Sequence, residues 1–469
     1  MRMMHVTSES VLHSIATATT IAVCLFASSL ATAAGESRIS DQVLPYQSQL
    51  APERPQPIEL GPKFLGTGKI GPGFELPGGA VWQPQLLIWG TARTAAQVFD
   101  PGQNMNGESP RASDWSNRLD IFAEIEVSPT DRMVLGWRPF DNRGEFSGCE
   151  FGRYGGCTGE FSGEPSVGFL EFNFGEVWPN LDPDESSALD IEISGGRQPL
   201  LFQDGILIND TIDSVAITRN NFNFGGTTNT RVTAIVGIND IDRADNQNDD
   251  QATLGALLVE TDIPASTINL DLVFVGSGDG DDGDSFHGGL SFIQRMGSIN
   301  TLFRALYSEN FDGESPAATD GALFFTEISW VPTGTHDNLY LNVFAGVDQF
   351  SSAARDPTTG GPLGRTGVLF AAVGLGGYGA PLGNRINDAA GAAIGYQLFL
   401  NRNRTWILFE AGGLESWNDS NGSQGAVAGG VTFQQAISQR FVARVDTFVG
   451  HREDEDSGWG ARFEWLTKF

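Results

Sequence analysis

The stretch Gly458–Phe469 alternates without a break. Trp459, Ala461, Phe463, Trp465, Thr467 and Phe469 fall on one face of an extended chain, and Arg462, Glu464, Leu466 and Lys468 fall on the other. Side chains of a strand point alternately to opposite faces, so one side suits an apolar medium and the other water. A soluble sheet with this period needs a second layer over its apolar face. The sequence supplies no such layer; instead the period of two recurs along the chain from Val81 onward. After the first 34 residues no stretch approaches the roughly 18 uninterrupted apolar residues that cross a bilayer as a helix. The remaining way to span a membrane is a closed barrel, in which every backbone group pairs with a neighbouring strand and no edge meets lipid.

Residues 1–34 carry Arg2, an apolar run from Ile15 to Leu30, and Ala31-Thr32-Ala33-Ala34, which reads as a secretory signal cleaved after Ala33 or Ala34. Cys24 follows Val23 and reads as an ordinary apolar residue of that signal. At the other end, the terminal aromatic, with Phe463, Trp465 and Phe469 in phase, resembles the signal by which the barrel-assembly machinery recognises bacterial outer-membrane β-barrels. That resemblance implies a Gram-negative outer membrane.

The formal charge of −30 argues against a nucleic-acid partner, since phosphate binding needs a positive surface. Mean hydropathy is only −0.15, as expected where lumen-facing polar residues dilute lipid-facing ones. Lysine occurs only at Lys63, Lys69 and Lys468, so nearly all positive charge is arginine. Arginine pairs with carboxylates in a fixed bidentate geometry suited to a charge-lined lumen.

Residues 35–80 hold Pro45, Pro52, Pro55, Pro57, Pro62, Pro72 and Pro77, which exclude a helix or a central strand. They read as an extended periplasmic lead-in, or as a small plug anchored by Phe64, Ile70, Phe74 and Leu76. Residues 81–469 are expected to form an all-β, closed antiparallel transmembrane barrel. Strands are predicted from Leu86, Arg118, Arg132, Val167, Leu189, Arg231, Thr253, Thr267, Gly289, Asn300, Ala322, Leu339, Ala390, Thr405, Ala426, Phe441 and Gly458. An even count is required if both ends lie on one side. Eighteen strands are expected, with 16 as the alternative, and the uncertain strand is placed between Phe350 and Ala389, near Thr366–Gly376 or Tyr378–Arg385.

Strand phase puts Arg93, Arg118, Arg138, Arg197, Arg231, Arg304, Arg444 and Arg462 toward the lumen. It places Asp120, Glu124, Asp190, Glu192, Asp271, Glu327, Asp348, Glu410, Asp446 and Glu464 there too. An arginine facing lipid near the midplane costs about 2–4 kcal/mol, so this phase is enforced. The residues line a solute path or simply brace the wall with ion pairs.

Gly195-Gly196-Arg197-Gln198-Pro199 ends a predicted strand without a simple turn, and Pro199 argues against a central ladder position. The segment through Asp204-Gly205 resembles the Gly-Arg-Gln and Asp-Gly motif of the alginate-export and related monomeric, substrate-specific porin families. Where those families carry an arginine after Asp-Gly, this chain has Ile206 and Leu207. The resemblance implies a monomer with a constriction built on Arg197, Gln198 and Asp204.

Cys149 and Cys157 flank a glycine-rich stretch in an exported chain, so a disulfide is predicted. The acidic clusters Asp240–Asp250, Asp279–Asp284 and Glu453–Asp456 are expected in outer loops, as solvated charge or as sites for Ca²⁺ or Mg²⁺; no other cofactor is expected. Beyond the signal only His287, His336 and His451 remain, none within a recognisable nucleophile motif, so an enzyme is not expected. The expected function is passive diffusion of small hydrophilic solutes or oligosaccharides across the outer membrane. The alternatives are a plugged barrel acting as a structural or surface-binding protein and, after it, an outer-membrane hydrolase.

Overall fold

The computed structural model describes residues 58–60 and 73–469, apart from 101, 103–111, 129, 143, 152–154, 182, 184–188, 279–282, 314, 364–366, 371–374, 376–377, 380, 419–424 and 454–456. The signal, most of residues 35–80 and parts of two acidic clusters therefore lie outside the described residues.

Eighteen antiparallel strands close into one barrel. They are β1 Gln85–Asp100, β2 Ala112–Glu126, β3 Arg132–Trp137, β4 Pro165–Asn173, β5 Ile191–Phe202, β6 Ile208–Phe222, β7 Asn229–Ile238, β8 Thr253–Ile263 and β9 Ser266–Gly276. The ring continues through β10 Ser285–Met296, β11 Ile299–Asn310, β12 Gly321–Trp330, β13 Asn338–Asp348, β14 Ala389–Leu400, β15 Thr405–Ser416, β16 Ala426–Ala436, β17 Phe441–Arg452 and β18 Gly458–Lys468. Each strand pairs with its neighbour in sequence, and β18 returns to β1 with Arg462 opposite Gln97 and Leu466 opposite Arg93. Phe469 extends that join: its N–H donates to the Gly90 carbonyl at 3.0 Å, and the Gly90 N–H donates back at 2.9 Å. Closure removes every free edge from lipid.

The count of 18 agrees with the sequence, but the eighteenth strand lies elsewhere than between Phe350 and Ala389. The strand absent from the sequence reading is β6, and within 350–388 the described residues form no wall strand. The reason is chemical. Only Val215 and Ile217 of β6 read as lipid-facing, while Ile208 and Ile212 point inward and are fully buried. An apolar residue on the inner face erases the alternation that marks a barrel strand.

Outward positions carry exposed apolar side chains, among them Ile217, Val236, Leu257, Leu270, Phe292, Phe409, Val427, Val449 and Phe463. Long connections (138–164, 239–252, 349–388) share one end of the barrel, and short turns such as 264–265, 297–298 and 401–404 share the other. This is the asymmetry of outer-membrane barrels, whose short turns face the periplasm.

Near the long-loop end the lumen is dry. Along β8 the inward Leu254, Ala256 and Leu258 are buried, whereas Glu260, further down the same face, is 40% exposed. Leu207, Ile208, Ile212, Val273, Leu306, Leu323, Phe325 and Phe344 join them in one apolar cluster, completed by Phe350, Leu363, Leu369, Phe370, Leu382 and Ile386 of the 349–388 connection. That connection folds inward because its apolar residues find partners there, and removal of apolar surface from water stabilises by about 25 cal/mol per Å².

The connection 138–164 patches the wall above the six-residue β3. Its segment Glu145–Glu150 pairs with the upper part of β2, Asp114 opposite Glu150 and Asn117 opposite Ser147. Cys149 lies directly opposite Cys157, and the two are joined with their sulfurs 2.14 Å apart. Of residues 35–80, Ile58–Leu60 adds a short strand beside the start of β1, and Phe74–Glu75 pairs with Val81–Trp82.

Candidate functional site: the lumen and its constriction

One inner wall, from β17 through β18 and β1 to β2, carries an arginine on every strand. Arg444, Arg462, Arg93 and Arg118 take inward positions, and Arg138 follows just beyond β3. Each meets a carboxylate on its own or the adjacent strand. Arg93 binds Glu464 through two bonds of 2.8 and 3.0 Å. Asp446 accepts from Arg462 and from Arg444, both at 2.9 Å. Asp120 accepts from Arg118 at 3.0 Å and from Arg138 at 2.8 Å, and Arg138 reaches on to Asp141. Glu124, lower on β2, accepts from Arg132 at 3.1 Å. Bidentate and shared bonds hold the guanidiniums in fixed positions. Four of the five arginine side chains remain 17–30% exposed to the lumen, whereas Arg462 is 1% exposed.

The opposite side is built by chain that leaves the wall. Pairing of β4 with β5 stops at Gly168 opposite Arg197; beyond that point β5 pairs with β6 alone. Gly196 sits at φ 125°, and a Cβ there would stand 2.3 Å from the Gly168 carbonyl oxygen, so only glycine makes this bend. Pro199 corrects the sequence reading: it lies inside the β5–β6 ladder opposite Thr211, and is tolerated because its N–H side faces an open edge.

The hairpin tip Gln203–Gly205 reaches into the lumen, with Gln203 and Asp204 both left-handed at φ 53° and 52°. The Gln203 amide donates to Asp271 on β9 at 2.6 Å, Arg304 on β11 donates to Gln203 at 3.3 Å, and Arg304 also pairs with Asp204. Arg197 and Gln198 stand at the bend rather than the tip. Arg197 pairs with Asp213 at 3.0 Å and with Asp240; Gln198 donates to Ser214 at 2.9 Å.

The 349–388 connection crosses to this tip. Ala354 and Arg355 run parallel to Ile208 and Asn209 at the start of β6. Arg355, 4% exposed, donates to the Gly205 carbonyl, to Ser352 at 3.0 Å and to Thr359 at 3.3 Å. His287, 1% exposed, sits between the Ser285 hydroxyl at 3.0 Å and the Ser351 carbonyl at 3.1 Å. Nδ1 thus fastens this connection to β10, while Nε2 is engaged within β10 itself. Gln203, His287 and Arg355 escaped the sequence reading because their partners lie 64 to 150 residues away.

Below the tip lies a cavity of about 250 Å³ lined by Gln203, Asp204, Arg231, Glu260, Asp271 and Arg304. Arg231 and Glu260, opposite each other on β7 and β8, pair along its wall at 3.0 Å, each nearly half exposed. Glu327 faces the same lumen from β12. Asp348 does not join these groups: it is exposed at the upper end of β13, with φ 55°. A second cavity, about 140 Å³, lies toward the long loops between Arg138, Arg197, Asp141, Asp210, Asp240 and Asp356. Among the described residues no three His, Cys, Asp or Glu side chains gather closely enough to hold a metal ion. Asp279, Asp281, Asp282, Asp454, Glu455 and Asp456 lie outside the described residues.

No protein-family model and no curated protein matches the chain. Solved structures do. OpdK, an outer-membrane protein of Pseudomonas aeruginosa, is similar over 82% of this chain and 98% of its own, with a TM-score of 0.53 and 11% identity. OccK2 (OpdF) of the same organism is similar over 82% and 97%, again with a TM-score of 0.53 and 11% identity. The structure of Pseudomonas aeruginosa OpdK with vanillate matches over 81% and 98%, with a TM-score of 0.51 and 10% identity. With a closed 18-strand wall, an apolar outer belt and an inward hairpin and loop, the chain has the fold of the outer-membrane porins of the OccK/OpdK group.

Proposed function

We propose that the protein is a monomeric, non-enzymatic channel through which small hydrophilic solutes, up to short oligosaccharides, cross the outer membrane by passive diffusion. The observation that carries this reading is the row Arg444, Arg93, Arg118 and Arg138, held in register by carboxylates and still open to lumen water. A bare wall would need no such row. Charges kept at fixed spacing offer a solute replacement contacts for the water it sheds. The tip at Gln203 and Asp204 and the 349–388 connection narrow the path opposite the row. Since every guanidinium has its carboxylate, weak ion selectivity is expected. The outward Phe463 and Trp465, with Phe469 at the closing join, present the surface the assembly machinery reads, and any Ca²⁺ or Mg²⁺ is held by the outer acidic loops.

Single-channel recording in a planar bilayer tests the reading, with reversal potentials measured across a KCl gradient. Steady ohmic steps support it. Absence of conductance from a folded, heat-modifiable barrel overturns it in favour of the second reading, a plugged barrel, for which the dry apolar cluster inside the upper lumen speaks.

A further inference from the structure

Tyr378 belongs to the inward connection and ends inside the lumen, 5% exposed, against the one buried member of the arginine row. Its ring lies 5.5 Å from Phe448 at 72° and 6.3 Å from Phe99, and those two rings are 5.9 Å apart. The Arg462 guanidinium lies over the Tyr378 face, 4.5 Å from its centroid. Gly460 forms the floor: a Cβ there would stand 2.5 Å from Phe448 and 3.0 Å from Tyr378, so the absence of a side chain makes room for the ring. Two aromatic walls, a cation on one face and a glycine floor make a slot shaped for one planar ring.

The polar atoms of this slot are poorly served. The Tyr378 hydroxyl, Nη1 of Arg462 and Oε1 of Gln97 are all buried without a hydrogen-bond partner. Gln97 stands directly opposite Arg462 across the β18–β1 ladder. Its amide nitrogen donates to both oxygens of Asp114 at 2.7 and 2.9 Å, which fixes Oε1 as the outward acceptor. The slot therefore offers one unused donor and one unused acceptor on residues that face each other across the ladder, and its present occupant uses neither. Each such buried, unmade bond costs about 1–3 kcal/mol.

We propose that the slot formed by Gln97, Phe99, Phe448, Gly460 and Arg462 is a binding site for hydroxylated aromatic solutes, and that Tyr378 occupies it as a built-in, imperfect stand-in. A phenolic hydroxyl is the group that matches: it accepts from Arg462 Nη1 and donates to Gln97 Oε1. A carboxylate accepts from the arginine but presents only acceptors to Gln97, so the slot favours a phenol over a benzoate of the same size. A solute entering must displace the Tyr378 ring, which lowers its apparent affinity by the fraction of time the slot stands open.

The test is isothermal titration of the folded, detergent-solubilised barrel with 4-methylphenol, 4-methylbenzoate and toluene, a readout independent of conduction. Saturable binding of 4-methylphenol to the wild type is expected, with roughly tenfold tighter binding to Tyr378→Ala, where the occupant is gone. 4-Methylphenol should bind more tightly than either 4-methylbenzoate or toluene. Binding by Tyr378→Ala alone, with none by the wild type, overturns the proposal, because the variant has then merely gained a cavity. Equal affinity for all three ligands overturns it too. Tyr378→Phe serves if the alanine variant does not fold: having lost only an unpartnered hydroxyl, it should melt no lower than the wild type, and a lower melting temperature refutes the argument.

Discussion

The two inner walls of this barrel are made in different ways. Along β17, β18, β1 and β2 the functional side chains are ordinary strand residues, and each ion pair joins positions on one strand or on adjacent strands. Across the lumen, the β5–β6 hairpin and the 349–388 connection have left the wall, and they are held by contacts such as Gln203 with Asp271 and Arg355 with Gly205. The first wall inherits its geometry from the ladder. The second is held by buried polar contacts together with the apolar cluster, so the bore of the lumen is set by parts that can change without the barrel changing.

That contrast can be broken most sharply at Arg355. Arg355→Ala removes the donors that tie the connection to the hairpin, at about 1.5–3 kcal/mol for each bond to a charged group. The expected result is the largest rise in single-channel conductance of any substitution considered, with new protease cleavage within 349–388 and an intact, heat-modifiable barrel. Unchanged conductance and protease resistance would show that the bonds of Arg355 are not what holds the connection in place.

Gly196→Ala attacks the bend itself. The Cβ clash with the Gly168 carbonyl and the strained φ predict a loss of about 1–3 kcal/mol, read as a lower unfolding midpoint on heat-modifiability gels. Gln203→Ala removes two tip contacts, leaving Asp271 without its 2.6 Å donor and Arg304 without the acceptor it meets at 3.3 Å. A smaller rise in conductance than for Arg355→Ala is expected, with no new cleavage in 349–388.

On the first wall, Arg93→Gln combined with Arg118→Gln should leave folding and conductance nearly unchanged. The reversal potential in a KCl gradient should move toward cation preference, because Glu464 loses its partner while Asp120 keeps Arg138. A fall in folded yield would make the row a structural brace instead. The smallest effect belongs to the patch over β3: Cys149→Ser with Cys157→Ser should cost at most about 2–3 kcal/mol, confined to that patch, since a disulfide closing a short loop constrains few residues. Unfolding of the barrel as a whole should keep its midpoint.

The same contrast decided what could be read from the sequence. Strands such as Asn338–Asp348 and Gly458–Lys468 announce themselves because lipid lies on one face and polar groups on the other, and with them come the inward phases of Arg93, Arg444 and Arg462. The constriction motif was visible as Gly195-Gly196 and Pro199, but its meaning was not: the segment does not end a strand, it carries a ladder out of the wall. β6 was invisible because Ile208 and Ile212 face a lumen filled with protein, so the water side of the strand is not wet. An even strand count points to a strand within 349–388, but the apolar residues of that connection serve an interior that only the folded barrel creates.

The dry cluster in the upper lumen gives this barrel two cooperative units where an open, water-filled pore has one. Leu254, Val273 and Phe344 on the wall, and Leu369, Phe370 and Ile386 on the connection, form a small core like that of a soluble domain, enclosed by a sheet that needs none of it to stay closed. Heating should therefore release the two in sequence. Undocking of the connection exposes apolar area to water and carries a positive heat-capacity step, while the hydrogen-bonded wall persists to higher temperature. Calorimetry would register this as a low, broad transition ahead of the main one, and the first would also fade on cooling, as the melting of a hydrophobic core does and the melting of a ladder of backbone bonds does not.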